Sequence, residues 1–469
     1  FFLFSSTMLC RSVSSSVTRI VSRSYRSLPA FEYTPPEYTG PSKEEVMKKR
    51  KQHLNPALFL MYKDPIMVTD AKMQYMFDET GKRYLDLFGG ITTISAGHCH
   101  PEVVKAAQEQ TEKVTHTTTI YLNNQIAEYA EELAAKLPKD LDVIYFTNSG
   151  SEANDLAMMM SRLYTGSFDF LALRNAYHGM SYSMMGVTAL NTWKQSVPQG
   201  FGVHHAMNPN LYRGPFGADD PEAAHKYAND VKDIIQFACP GKVAGFIAEY
   251  IQGVGGSVVL PDGYLKEVYE HVHNAGGLCI ADEVQTGFGR LGTHFWGFEK
   301  NDVKPDIVTM AKSIGNGTPL AALATSRKIA ESISGKLHFN TYGGNPVSCA
   351  VGRAVLRVIE KDNLQKNCLE RGNQLLAGFD KLKEKHDLIG DVRGHGLMLG
   401  VEFVKDRKTK EPATQEFLQI FEDCKNHGLL LGKGGIYGNV MRVKPPMCIT
   451  AEDVEFTLDV LDQAIAKIQ

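Results

Sequence analysis

Six short apolar segments in the middle of the chain restrict its fold more than any other feature. They are "DVIYFTNS", "DFLALRNAYHG", "KVAGFIAEYI", "GLCIADEV", "DIVTMAKS" and "LAALATS", beginning at Asp142, Asp169, Lys242, Gly277, Asp306 and Leu320. Each has the length and apolar content of a buried strand, and stretches of helical periodicity such as "YLKEVYEHVHNAG" separate them. Strands that alternate with helices imply a mostly parallel sheet covered on both faces. In such sheets ligands bind beyond the carboxyl ends of the strands. Ahead of this region, "MQYMFDETGKRYLDLFGG" reads as a hairpin, and "HPEVVKAAQEQTEKV" and "NQIAEYAEELAAKLP" as helices. Beyond about residue 346 the pattern changes to longer amphipathic helices and short strands around "RGHGLMLGVEF" and "NVMRVKPPM", as in a second, smaller α+β domain.

Composition narrows the partners. The 469 residues carry a formal net charge of only -3 and no long basic run, which gives no electrostatic support to nucleic-acid or anionic-membrane binding. Eight cysteines are scattered without a CxxC pair, so reduced thiols are expected rather than a zinc knuckle or a disulfide framework. The first 30 residues differ in kind. Arg11, Arg19, Arg23 and Arg26 lie among many serines with no acid before Glu32, the composition of a mitochondrial transit peptide and also of a simple disordered tail. Its apolar start is too short to span a bilayer.

The strand ends carry the chemistry. In "GLCIADEV" an apolar run ends on Asp282 and Glu283, and a carboxylate taken out of water needs a positive or hydrogen-bonding partner. "YFTNSGSEANDLAMMMSRLY" passes from a strand through Asn148, Ser149, Gly150 and Ser151 into a helix whose free N–H groups suit a phosphate, although a plain capped helix start has the same sequence. "RNAYHGMS" sets Tyr177 and His178 after another strand, where an aromatic face stacks on a flat ring or merely packs. Lys312 follows the strand of "DIVTMAKS" and precedes a small-residue turn, a position that desolvates an amine and makes it nucleophilic towards an aldehyde. Phosphate cradle, stacking aromatic, strand-end carboxylate and reactive lysine together are the demands of one cofactor, pyridoxal 5'-phosphate. Asp282 is then answered by the cofactor's pyridinium.

With "NSGSEAND", "YHG", "ADEVQTGFGRLG", "MAKSIGNG" and "FNTYGGNP" in this order, residues 50 to 469 resemble the class III pyridoxal-phosphate aminotransferases of fold type I. The resemblance implies a seven-stranded, mostly parallel large domain over residues 101–345. The smaller α+β domain would be built from residues 31–100 and 346–469. It implies that Lys312 holds the cofactor covalently and then shuttles a proton to and from the substrate α-carbon. Asp282 would pair with the pyridine nitrogen, Val284 would pack under the ring, and Gln285 would approach its phenolic oxygen. Gly150 and Ser151 would hold the phosphate and Tyr177 would stack on the opposite ring face. Thr341 would reach the phosphate of a neighbouring subunit, which makes a homodimer, alone or paired into a homotetramer, part of the active site.

The resemblance further implies a mitochondrial transaminase that takes its amino group from alanine, and also from β-aminoisobutyrate or dimethylarginines, and gives it to glyoxylate. Glu249 in "AEYIQG" would pair with Arg442 in "MRVKPPM" either as a substrate gate or as a fixed structural pair. Ornithine-type relatives carry an arginine directly after "HG", where this chain has Met180. That disfavours ornithine and leaves Arg442 as the first choice for the substrate carboxylate and Arg393 as the second. Glu283 reads as a structural carboxylate. Two alternatives share the cofactor-binding residues: an amino-alcohol phosphate phospholyase and a catalytically silent cofactor-binding scaffold. His98 and His100 in "GHCHPEV" lack a third ligand and read as a turn before a helix. A nicotinamide-dependent dehydrogenase would need a G-x-G-x-x-G turn opening a helix, and the chain has none so placed.

Overall fold

In the computed structural model, residues 25–197 and 200–468 are described. Most of the arginine-rich N-terminal segment, and the transit peptide expected there, lies outside them. The large sheet has seven strands, numbered here within the sheet: β1 Val143–Thr147, β2 Phe170–Leu173, β3 Val203–Ala206, β4 Gly245–Ala248, β5 Leu278–Asp282, β6 Ile307–Met310 and β7 Ala321–Thr325. They lie in the order β1-β7-β6-β5-β4-β2-β3. Neighbours pair in parallel from β6 across to β3, while β7 is antiparallel to both β6 and β1. The physical reason is the link between β6 and β7, which is too short to hold a crossover helix. That same short link carries Lys312.

Every residue of β2, β4, β5, β6 and β7 is buried, which is why these strands read as continuous apolar runs rather than alternating ones. Alternation survives as a division between two cores. Leu171, Leu173 and Phe246 pack with Tyr227, Val231, Tyr264 and Val268 from the helices Ala223–Phe237 and Tyr264–Asn274. Phe170, Ala172 and Ile247 face the other way, into a cluster with Leu156, Ala157 and Met160 of the helix Gly150–Thr165. β3 was not legible as an apolar run because two of its four residues, His204 and His205, are histidines on the edge strand of the sheet.

The expected hairpin forms between Tyr75–Asp78 and Arg83–Asp86, and Leu429–Leu430 adds to it in parallel. Chain segments far apart in sequence thus share one sheet. A second sheet joins Ile389–His395, Met398–Phe403, Val440–Val443 and Gly432–Gly434. The chain just beyond Val440–Val443 and just before Met398–Phe403 is pinned by Arg290. This guanidinium is fully buried and donates from Nη1 to the Pro445 carbonyl at 2.7 Å and to that of Leu397 at 3.3 Å. Among the described residues, no helix is long and apolar enough to cross a membrane.

Candidate active site

Strands β1, β2, β4, β5 and β6 all end at one edge of the sheet, and the residues just beyond those ends border a single cavity of about 360 Å³. Asn148, Ser149, Gly150 and Ser151 enter it from β1, Tyr177, His178 and Gly179 from beyond β2, and Glu249 from β4. Asp282, Val284 and Gln285 enter from β5, and Lys312 from β6. The edge rule for parallel sheets thus brings together most of the residues singled out from sequence.

The end of the cavity expected to take a phosphate is a helix start. Ser149 caps the helix Gly150–Thr165, its hydroxyl accepting from the Glu152 N–H at 3.2 Å. The first-turn N–H groups of Gly150 and Ser151 have no intrahelical acceptor, and the positive helix end adds to their pull on an anion. Close approach needs glycine here. A Cβ on Gly150 would sit 3.1 Å from a Val284 methyl, and one on Gly179, whose φ is +134°, would come within 2.4 Å of the Ser151 hydroxyl.

Asp282 is a fixed acceptor. Its Oδ2 accepts from His178 Nδ1 at 2.7 Å and from Asn154 Nδ2 at 2.9 Å, and its Oδ1 from the Val284 N–H at 3.1 Å. Asp282 and His178 are nearly fully buried, and His178 Nε2 has no hydrogen-bond partner among the described residues. Asn154 was missed in the sequence. The signal was its place one turn after Gly150 on the same helix, which points it back towards the strand ends.

Lys312 opens a short turn with φ of +51°, a left-handed conformation that costs a non-glycine residue of order 1–3 kcal/mol. Burial pushes its ammonium below the ordinary lysine value, and Arg442 adds to this, while Asp282 and Glu249 pull the other way. Such an amine is available as a nucleophile nearer neutral pH than an exposed lysine. Glu249 is held by two N–H groups, Tyr177 at 3.0 Å and Gly253 at 2.8 Å; burial raises its carboxyl, and the His178 charge opposes that.

The donor set fits a pyridine aldehyde phosphate. An amine, a carboxylate, a helix start, an aromatic face and an aliphatic side chain border one slot. Three of the sequence candidates stand apart from it. Arg442 lies behind Gly253, donating from Nη1 to the Gly253 carbonyl at 3.2 Å and from Nε to that of Lys433 at 3.0 Å. Burial lowers its guanidinium to about 10. Arg442 and Glu249 thus hold the carbonyl and the N–H of one residue, Gly253, and do not form a direct ion pair. Arg393 uses its nitrogens on Asp391 at 2.7 Å, Glu402 at 2.8 Å and the Gly256 carbonyl at 2.9 Å, ordering the smaller sheet. Thr341 is exposed on the protein surface. His98 and His100 turn to separate carboxylates, Asp86 and Asp362.

Glu283 faces away from the cavity and accepts from Thr286 Oγ1 at 2.6 Å and from the N–H groups of Gly297 and Phe298 at 2.8 Å each. Burial nevertheless raises its carboxyl to about 7. Glu283→Gln would replace one acceptor oxygen with an N–H₂ that meets other donors. The expected result is a loss of about 1–3 kcal/mol of stability with an unchanged KM. Thermal melting at fixed protein and cofactor concentration, alongside steady-state kinetics, checks it.

Comparison with known proteins agrees with this geometry. Residues 61–465 match the model of the family "Aminotransferase class-III". The mitochondrial alanine–glyoxylate aminotransferase 2 homolog 2 of Arabidopsis thaliana is 53% identical, covering 94% of this chain and 91% of that protein. Human mitochondrial alanine–glyoxylate aminotransferase 2 is 44% identical over 96% and 92%. Among solved structures, an Arthrobacter phospholyase in complex with phosphoethanolamine superposes with a TM-score of 0.85 at 32% identity, covering 90% of this chain and 99% of that one. A thermostable (S)-enantioselective omega-transaminase from Thermomicrobium roseum gives a TM-score of 0.85 at 31% identity, covering 92% and 100%.

Proposed function

Because this chain belongs to the class III aminotransferases, we propose that it transfers the amino group of alanine to glyoxylate, producing pyruvate and glycine. One observation carries the reading: Lys312, Asp282 and the Ser149–Ser151 helix start all face one cavity at the ends of adjacent strands. The names of the Arabidopsis and human relatives support the substrate pair. When bound, pyridoxal phosphate supplies an electron-withdrawing ring that takes up charge released at the substrate α-carbon.

The chain's own residues do the rest. Gly150 and Ser151 bind the phosphate and Tyr177 and Val284 confine the ring. Asp282, fixed by His178 and Asn154, holds a proton on the ring nitrogen. Lys312 would anchor the cofactor through its amine and, when that amine is free, would be the base that takes the α-proton. For Arg442 to meet a substrate carboxylate it must exchange its bonds to the Gly253 and Lys433 carbonyls, so it serves as a clamp only by moving.

A homodimer with Thr341 at the partner's phosphate is supported by a cluster of exposed residues around it. Leu337 and Phe339 precede Thr341, and Tyr342, 62% exposed, packs against His116, which is followed in the chain by the exposed Ile120 and Tyr121. Asn340 in the same loop accepts from cavity-lining Asn148 at 3.1 Å, which ties that surface to the site. Mitochondrial location is supported by the relatives' names and by the acid-free, arginine-bearing first 30 residues.

The test is stoichiometric. Holoenzyme given alanine alone is expected to release one pyruvate per site and stop, and glyoxylate added afterwards to release one glycine. Steady-state plots are expected to be parallel. No pyruvate from alanine, with inorganic phosphate released from phosphoethanolamine, would make the phospholyase reading the better one.

A further inference from the structure

Lys444 is fully buried, in a core that already holds Arg442 and Arg290. Its backbone is fixed between the strand Val440–Val443 and Pro445, with its N–H donating to the Leu87 carbonyl at 2.7 Å. Among the described residues, no carboxylate lies within ion-pairing distance of its Nζ. A buried ammonium without a counter-ion is costly unless its hydrogen bonds do something specific. Among the described residues, the Lys444 ammonium donates to the Oε1 of Gln285, at 2.9 Å.

Gln285 borders the cavity and is itself 4% exposed. Its carboxamide lies flat on Gly253, where an added Cβ would fall within 2.4–2.5 Å of Oε1, Cδ and Nε2. Gly253 is in turn held at its N–H by Glu249 and at its carbonyl by Arg442. The amide can therefore turn only about its own axis, and what decides its sense is which end meets Lys444. An ammonium has donors and no acceptor, so it selects the oxygen. Burial among Arg442, Lys312 and Arg290 lowers the Lys444 ammonium while Glu249 opposes this, and it is the charged form, which has no lone pair for the amide N–H₂, that enforces the choice of oxygen.

We propose that Lys444 is a positioning residue which commits Gln285 Oε1 to the protein and so presents Gln285 Nε2 as a donor to an anionic oxygen in the cavity. The inference rests on the reading of that cavity as a pyridoxal-phosphate site, where the ring's phenolic oxygen is such an acceptor. Lys444 touches neither cofactor nor substrate and acts only through the amide.

The experiment measures the dissociation constant and absorption maximum of bound pyridoxal phosphate, without any amino donor, in wild type, Lys444→Met, Gln285→Leu and the double variant. Each single variant is expected to bind the cofactor about tenfold more weakly, the size of one lost hydrogen bond, and to shift the absorption maximum. The double variant should be no weaker than Gln285→Leu alone, since the two residues act as a unit. Additive losses, or a Lys444→Met protein with wild-type affinity and spectrum, would overturn the proposal. Should Lys444→Met not fold, Gln285→Glu serves in its place. It keeps an acceptor for Lys444 but offers the cavity no donor, so it is expected to fold and lose affinity; wild-type affinity there would also overturn it. Wild-type protein that binds no pyridoxal phosphate would defeat the cofactor reading itself, a distinct outcome.

Discussion

Lys312→Ala is expected to lower kcat for alanine and glyoxylate by about 10⁴-fold or more while leaving a folded protein. Two losses combine in this one change. The amine proposed to anchor the cofactor would disappear, and so would the base proposed to take the α-proton. No neighbour replaces it: Lys444 donates to Gln285, and Arg442 is committed to two backbone carbonyls. Folding should survive because the left-handed φ of +51° is as accessible to alanine as to lysine, so the substitution adds no new backbone strain. The check has two arms. Borohydride reduction of the holoenzyme should leave a cofactor adduct on the peptide containing Lys312 in the wild type and none in the variant. Turnover of Lys312→Ala within tenfold of wild type, or an adduct on another lysine, would remove Lys312 from both roles.

The sequence exposed the strand-end residues because a buried parallel sheet concentrates apolar residues in short runs, and whatever polar group ends a run is conspicuous. Asp282 and Lys312 stand out for that reason. The same logic hides what acts from the side. Asn154 and His178 fix Asp282, yet an asparagine in the first turns of a helix and a histidine in a loop have ordinary local explanations. Lys444 is the sharpest case. It lies in "NVMRVKPPM", which reads only as a short strand of the smaller domain, and only the fold shows the amine driven inward and closing on Gln285 159 positions away in the chain. The edge strand β3 was hidden by composition, since half-exposed histidines give no apolar period. Arg442 and Arg393 show the opposite difficulty. Both are arginines near glycines, and only their backbone and carboxylate partners distinguish a committed guanidinium from one free to clamp a substrate.

Asp282→Asn is expected to reduce kcat by roughly 10³-fold, in the range found for loss of one acid–base or electrostatic group, with a much smaller change in cofactor affinity. Hydrogen bonding explains why so small a change is so costly. Two donors, His178 Nδ1 and Asn154 Nδ2, converge on Oδ2. The asparagine oxygen must occupy that place to avoid leaving both of them buried and unpaired. Its Nδ2 is then forced into the position of Oδ1, against the Val284 N–H. The site now offers a donor where it offered a carboxylate, and a protonated ring nitrogen loses its partner. Binding is spared because the phosphate and the lysine anchor are untouched. Asn154→Ala supplies the control. It removes one of the two side-chain donors on Oδ2 but keeps the charge, so a loss of about tenfold is expected. Asp282→Asn within tenfold of wild type would sink the assignment of Asp282 to the ring nitrogen. Asn154→Ala matching Asp282→Asn would mean that the orientation of the carboxylate matters as much as its charge.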